Sequence, residues 1–145
     1  MKRSMVVVLS AVAFLFAVNF AEAGVEPNKE MAALIDSYLN AARRSEPGFK
    51  GFSADAGKAF FNSKRIHSVT KEERGCIVCH TADPTQQGKT TVGKVIEPMA
   101  ASVNKERFTD PQKVEKWFKR NCNWTLEREC TPQEKGNYIM YMLSI

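Results

Sequence analysis

Cys76-Ile77-Val78-Cys79-His80 places two thiols three positions apart, with an imidazole on the next residue. This C-x-x-C-H pattern is the attachment pattern for c-type haem. On one helical turn, each thiol can add to one vinyl group of the same porphyrin. The following residue then lies beneath the ring, where its imidazole reaches the iron, as a proximal histidine commonly does. A thioredoxin-like redox pair would need a βαβ pattern, and none is visible. Half a zinc site would need a second Cys or His pair at matching spacing, and none follows. The motif therefore points to one covalent haem c, with Cys76 and Cys79 as its thioether residues and His80 as proximal ligand.

The sixth position on the iron decides what such a haem does. An electron shuttle fills it with a strong ligand, commonly methionine, whereas a gas-binding or catalytic haem leaves it open or weakly held. Met99 follows Pro98 in a loop 19 residues after His80 and could hang a thioether over the metal. His67 is the other histidine, and its polar surroundings favour a surface or hydrogen-bonding role. Met31, Met140 and Met142 sit on helical faces and read as core. No convincing distal acid–base pair for peroxide cleavage stands out, so no catalytic residue and no specific turnover are assigned. On the residues alone, Met99 ligation and an open site both stand.

These groups must be held by helices. Met31, Leu34, Ile35, Tyr38 and Leu39 recur at helical spacing from about Asn28 to Arg44, with Asn28 as N-cap. Pro47-Gly48 ends that element. Ser53 caps a second helix running to about Arg65. Residues 81–102 hold Pro84, Gly88, Gly93 and Pro98 and read as a long loop, of the kind that carries function or wraps a ligand. Asp110-Pro111 opens a helix whose buried face is Val114, Trp117 and Phe118. Thr131-Pro132-Gln133-Glu134 is a capping box that opens the last helix, through Tyr138, Ile139, Met142 and Leu143. No stretch alternates at period two, and the fold class is all-α. Cys122 and Cys130, eight apart, read as a disulfide that stiffens the segment from Asn121 to Glu129.

The chain of 145 residues is long enough for one domain, and 43% apolar with 26% charged residues is ordinary globular usage. Lys2 and Arg3, an apolar run from Met5 to Val18, and Ala21-Glu22-Ala23 form a secretory signal peptide over residues 1–23, cleaved near Ala23. The apolar run is too short for a comfortable membrane span. A monohaem domain over residues 24–145, exported to the periplasm, is the expected mature form. Removing Lys2, Arg3 and Glu22 from 21 basic and 16 acidic side chains leaves a net charge of +4. That charge is spread, so it supports a mildly basic face for an acidic protein and no nucleic-acid arm.

The segment after the haem motif resembles the sphaeroides haem protein family, oxygen-binding monohaem cytochromes c. The resemblance is carried by Thr81-Ala82-Asp83-Pro84, Gly88-Lys89, Gly93-Lys94, Ile96-Glu97-Pro98-Met99-Ala100 and Arg107-Phe108-Thr109-Asp110. It continues through Lys113-Val114-Glu115-Lys116-Trp117-Phe118, Arg120-Asn121-Cys122 and Cys130-Thr131-Pro132-Gln133-Glu134-Lys135. Ala101 stands where the family favours proline. The resemblance implies a small class I-like cytochrome c domain wrapping one haem. It further implies that Asn121, directly before a disulfide cysteine, is the distal ligand of the oxidised iron, with Met99 only a loop residue. That ligand leaves on reduction, opening a site for O2, NO or CO. The implied electron donor is a dihaem cytochrome c, often linked to a membrane cytochrome b.

Overall fold

A computed structural model describes residues 24–145; the expected signal segment, residues 1–23, lies outside the described residues. Five helices account for most of the regular secondary structure: α1 (Lys29–Ser45), α2 (Ala54–Asn62), α3 (Ile77–His80), α4 (Pro111–Leu126) and α5 (Pro132–Leu143). Their starts follow from capping chemistry. Asn28, Ser53, Asp110 and Thr131 each accept a backbone N–H of the first turn through the side chain, which satisfies donors a helix start leaves free. Thr131 and Glu134 complete both halves of the capping box.

Two short hairpins modify the all-helical expectation. β1 (Arg65–Ile66) pairs antiparallel with β2 (Glu73–Arg74), and β3 (Gly88–Lys89) with β4 (Val95–Ile96). Strands of two residues are too short to show an alternating pattern, so periodicity could not reveal them. The first hairpin also explains why α2 stops at Asn62, short of the expected Arg65: Ser63 already has extended backbone, with ψ of 142°. The second lies inside the expected loop over residues 81–102.

α5 is the central element, packed on α2 and α1. Tyr138 is buried among Phe60, Phe61, Phe108 and Phe118, with ring centroids 5.5–6.5 Å away. Met31, Phe61, Ile139 and Met142 are wholly enclosed. Gly57 allows α2 to lie directly on α5, since a Cβ there would sit 2.0 Å from the Asn137 carbonyl oxygen. Asn137 in turn accepts the Ser53 N–H at 2.8 Å, and the Ala101 N–H donates to the Met142 carbonyl at 3.0 Å. Two expected core residues are not in it. Met140 is 36% exposed, and Trp117 is 43% exposed. At 3.6 residues per turn, α4 buries Val114, Phe118, Cys122 and Thr125, and Trp117 falls on the neighbouring stripe.

Candidate functional site

The haem motif forms a single tight turn at α3. The N–H groups of Cys79 and His80 both donate to the Cys76 carbonyl, at 3.2 and 3.0 Å, which brings the two thiols and the imidazole onto one unit. Cys76 and Cys79 are unpaired thiols, whereas Cys122 and Cys130 form the expected disulfide with Cα atoms 5.5 Å apart. Burial pushes the Cys76 thiol up to about 11, so it stays protonated near neutrality. Burial, with a smaller contribution from the Arg107 charge, pushes His80 down to about 4. His80 is thus a neutral imidazole with a lone pair available to a metal.

The chain leaves this turn in a demanding way. Thr81 has φ 61° and ψ 167°, a conformation seldom adopted by residues other than glycine, and its hydroxyl donates to the Asp83 carbonyl at 2.8 Å. Beyond it, β3 crosses directly over the motif. A Cβ on Gly88 would lie 2.0 Å from the Cys79 carbonyl oxygen and 2.9 Å from the His80 Cα. The loop continues to Met99 and Ala100, whose N–H groups share the Pro84 carbonyl at 2.8 and 2.9 Å. Arg107 straps this loop, donating to the carbonyls of Pro98 at 2.9 Å and Glu97 at 2.7 Å. The Met99 side chain is half-buried and packs against the hydrophobic core.

Asn121 lies within α4 rather than at its end. The C-cap is Glu127, in the left-handed conformation at φ 57°, so a capping role for Asn121 does not apply. Asn121 is exposed on a stripe with Trp117 and Trp124, four residues before it and three after. Its carbonyl accepts the Thr125 hydroxyl at 2.8 Å. The side-chain amides of Asn28, Asn62, Asn104, Asn123 and Asn137 are all engaged in hydrogen bonds. Among the described residues, the Asn121 and Asn40 side chains have no such partner. His67 behaves as the polar context implied: its Nδ1 accepts the N–H groups of Val69 and Thr70 at 3.3 and 3.1 Å, and its Nε2 lies 3.4 Å from Glu127. The end of α4 and the haem motif meet, since Thr125, Leu126, Gly75 and Cys76 line one small cavity.

Residues 47–142 match the family model for DUF1924, a domain of unknown function. Cytochrome c'' of Methylophilus methylotrophus is 38% identical over 131 residues, covering 90% of each chain. The protein belongs to the family of SHP and cytochrome c''. The cytochrome c-type protein SHP of Cereibacter sphaeroides is 42% identical over 89 residues, which span 61% of this chain and 68% of SHP. Crystallographic oxidised cytochrome c'' superimposes with a TM-score of 0.71 at 41% identity, covering 79% of this chain and 93% of that one. Oxidised SHP, described as an oxygen-binding cytochrome c, gives 0.68 at 38% identity, covering 79% of this chain and 96% of that one. As a member of this c-type family the protein is a monohaem cytochrome carrying covalent haem c. The residues present fit that group: two free thiols and a neutral imidazole on one turn, with a glycine-lined crossing above them.

Arg74, Gly88 and Arg107 escaped a role in the motif reasoning. Gly88 and Arg107 carried a signal, both lying within the segments of family resemblance. Arg74 meets the Trp124 carbonyl only when distant segments come together, whereas the Arg107 partners Glu97 and Pro98 lie ten and nine residues before it.

Proposed function

We propose that this is an exported monohaem cytochrome c that accepts one electron and, on reduction, frees its distal side for a diatomic gas such as O2, NO or CO. Cys76 and Cys79 hold the haem through thioethers, and His80 supplies the proximal nitrogen. Asn121 supplies a weak distal ligand in the oxidised protein and withdraws in the reduced one. When bound, haem c supplies a one-electron iron couple and an exchangeable axial position. The observation that carries this reading is the contrast on α4 and its neighbouring loop. Asn121 presents an uncommitted amide on an open aromatic stripe, while Met99 is half-buried against the core. A neutral amide oxygen is a poor donor to the softer ferrous ion, which favours its release on reduction.

The Ala21-Glu22-Ala23 pattern supports export to the periplasm. Among the described residues no helix is long and apolar enough to cross a membrane. Exposed Lys113, Lys116, Lys119 and Arg120 on α4 suit an acidic electron-donor protein, and the family resemblance makes that donor a dihaem cytochrome c, with a membrane cytochrome b behind it.

Absorption and spin-state spectra of the haem-loaded protein test the ligand. The oxidised form is expected to be six-coordinate without a methionine–iron charge-transfer band, and the reduced form five-coordinate, high-spin and quick to take up CO. Asn121→Ala opens the ferric site to water or added anions, and Met99→Ala leaves both states nearly unchanged. A low-spin ferrous haem that is lost in Met99→Ala would establish the His80–Met99 shuttle instead.

A further inference from the structure

Past Asn123, whose carbonyl accepts the Glu127 N–H, the last carbonyls of α4 have no partner within the helix, and no basic side chain of its own stands in that turn. A residue from another element supplies the missing charge. Arg74, at the end of β2, donates Nη1 to the Trp124 carbonyl at 3.1 Å, and its guanidinium lies 4.9 Å from the centre of the Trp124 ring. A cation at a helix C-terminus also complements the helix dipole. The side chain is only 13% exposed, and its Nη2 is held by Glu72 at 3.2 Å.

The far end of the same hairpin grips the same helix end. The Glu127 carboxylate accepts the Ser68 N–H at 2.8 Å and the Ser68 hydroxyl, and His67 Nε2 lies 3.4 Å from it. The loop between the strands is closed internally, by the His67 N–H on the Glu72 carbonyl and the Lys71 ammonium on the Ser68 carbonyl. The base of the hairpin is equally fixed. Gly75 sits so close to the Ser63 carbonyl oxygen that a Cβ would come within 2.5 Å of it. Gly75 is the single residue between Arg74 and Cys76. A short, braced hairpin thus runs from the first thioether cysteine to the turn of α4 that follows Asn121.

We propose that the β1–β2 hairpin is a strut that positions Asn121, with Arg74 as its main contact and Glu127 as its second. This inference rests on Asn121 being the distal ligand. Arg74 acts through Trp124, three residues from Asn121 and on the same stripe. A weak ligand needs such a strut more than a strong one does, because a small loss of proximity is enough to leave it unbound.

The test is the ligand-on to ligand-off ratio of the oxidised, haem-loaded protein, read from low-spin and high-spin ferric signals, together with amide hydrogen exchange over residues 121–127. Arg74→Gln is expected to lower the ratio roughly ten-fold, the scale of one charge-assisted hydrogen bond, and to speed exchange in that turn. Arg74→Lys, which keeps the charge, recovers part of the loss. In the Asn121→Ala background Arg74→Gln is expected to leave the ferric spectrum unchanged, because the group it positions is gone. An unchanged ratio in Arg74→Gln, with Asn121→Ala opening the site, overturns the strut and leaves the ligand reading intact. The same spectral shift in both backgrounds also overturns it, by showing a general structural role. An Asn121→Ala protein with a parental ferric spectrum overturns the ligand reading and the strut together. If Arg74→Gln fails to accumulate, Glu127→Gln is read by the same criteria with a smaller expected fall.

Discussion

Gly88→Ala is the most direct probe of how the loop is seated on the haem motif. The added Cβ would meet the Cys79 carbonyl oxygen at 2.0 Å, against an ordinary contact of 3.4 Å or more, so something must move by about 1.4 Å. Neither side yields easily. The oxygen and the His80 Cα belong to the turn fixed by the Cys76 carbonyl, and Gly88 is paired with Ile96 in the hairpin. Overpacking of this kind costs roughly 1–3 kcal/mol. For a domain of this size that corresponds to a fall in Tm of roughly 4–12 °C. The assay is thermal melting of the haem-loaded protein, followed at the Soret band and by far-ultraviolet circular dichroism. Gly48→Ala is the control, since nothing lies within 4 Å of its Cβ position. It is expected to shift stability by no more than about 0.5 kcal/mol in cost, or to raise it slightly through the unfolded state. Gly88→Ala melting within about 2 °C of the parent would refute the close crossing.

Replacing Cys122 and Cys130 by serine opens a loop of about nine residues and is expected to cost roughly 2.6 kcal/mol on the chain-entropy model, measured by denaturant unfolding with the parent under the same conditions. Glu134 is held below the usual carboxylate range, first by its hydrogen bonds from Arg128, so its contribution to stability is present above the ordinary carboxylate pKa and is lost as pH falls through the lowered value. Glu134→Gln should therefore cost about 0.5–1 kcal/mol at pH 7, with the two unfolding curves converging in acid; a gap that persists at pH 2 would contradict the charged pairing.

Much of the fold was legible because helix starts are local chemistry. Asn28, Ser53, Asp110 and Thr131 announce their helices within four residues of sequence, and the structure uses all four as caps. The same locality made the candidate thioether cysteines and His80 readable, since all three chemical groups lie in five consecutive residues. Cys122 and Cys130 were readable as a pair because they are close in sequence and no other cysteine outside the motif competes.

The two hairpins and the surroundings of Asn121 were not local. Asn121 is one of seven asparagines in the described chain, and nothing in its immediate sequence says that its amide is left free while five others are engaged. Trp117 looked buried by spacing, yet α4 has one core stripe, already filled by Val114, Phe118, Cys122 and Thr125. Met99 was a ligand candidate by its distance from His80, and that its half-buried side chain packs against the core could not be read from that spacing. Arg74 reaches Trp124 across 50 residues of sequence, and Glu127 reaches Ser68 across 59. Spacing along the chain determines which groups share a turn. Which of them is left free, and which distant charge braces it, depends on long-range packing that only the tertiary structure decides.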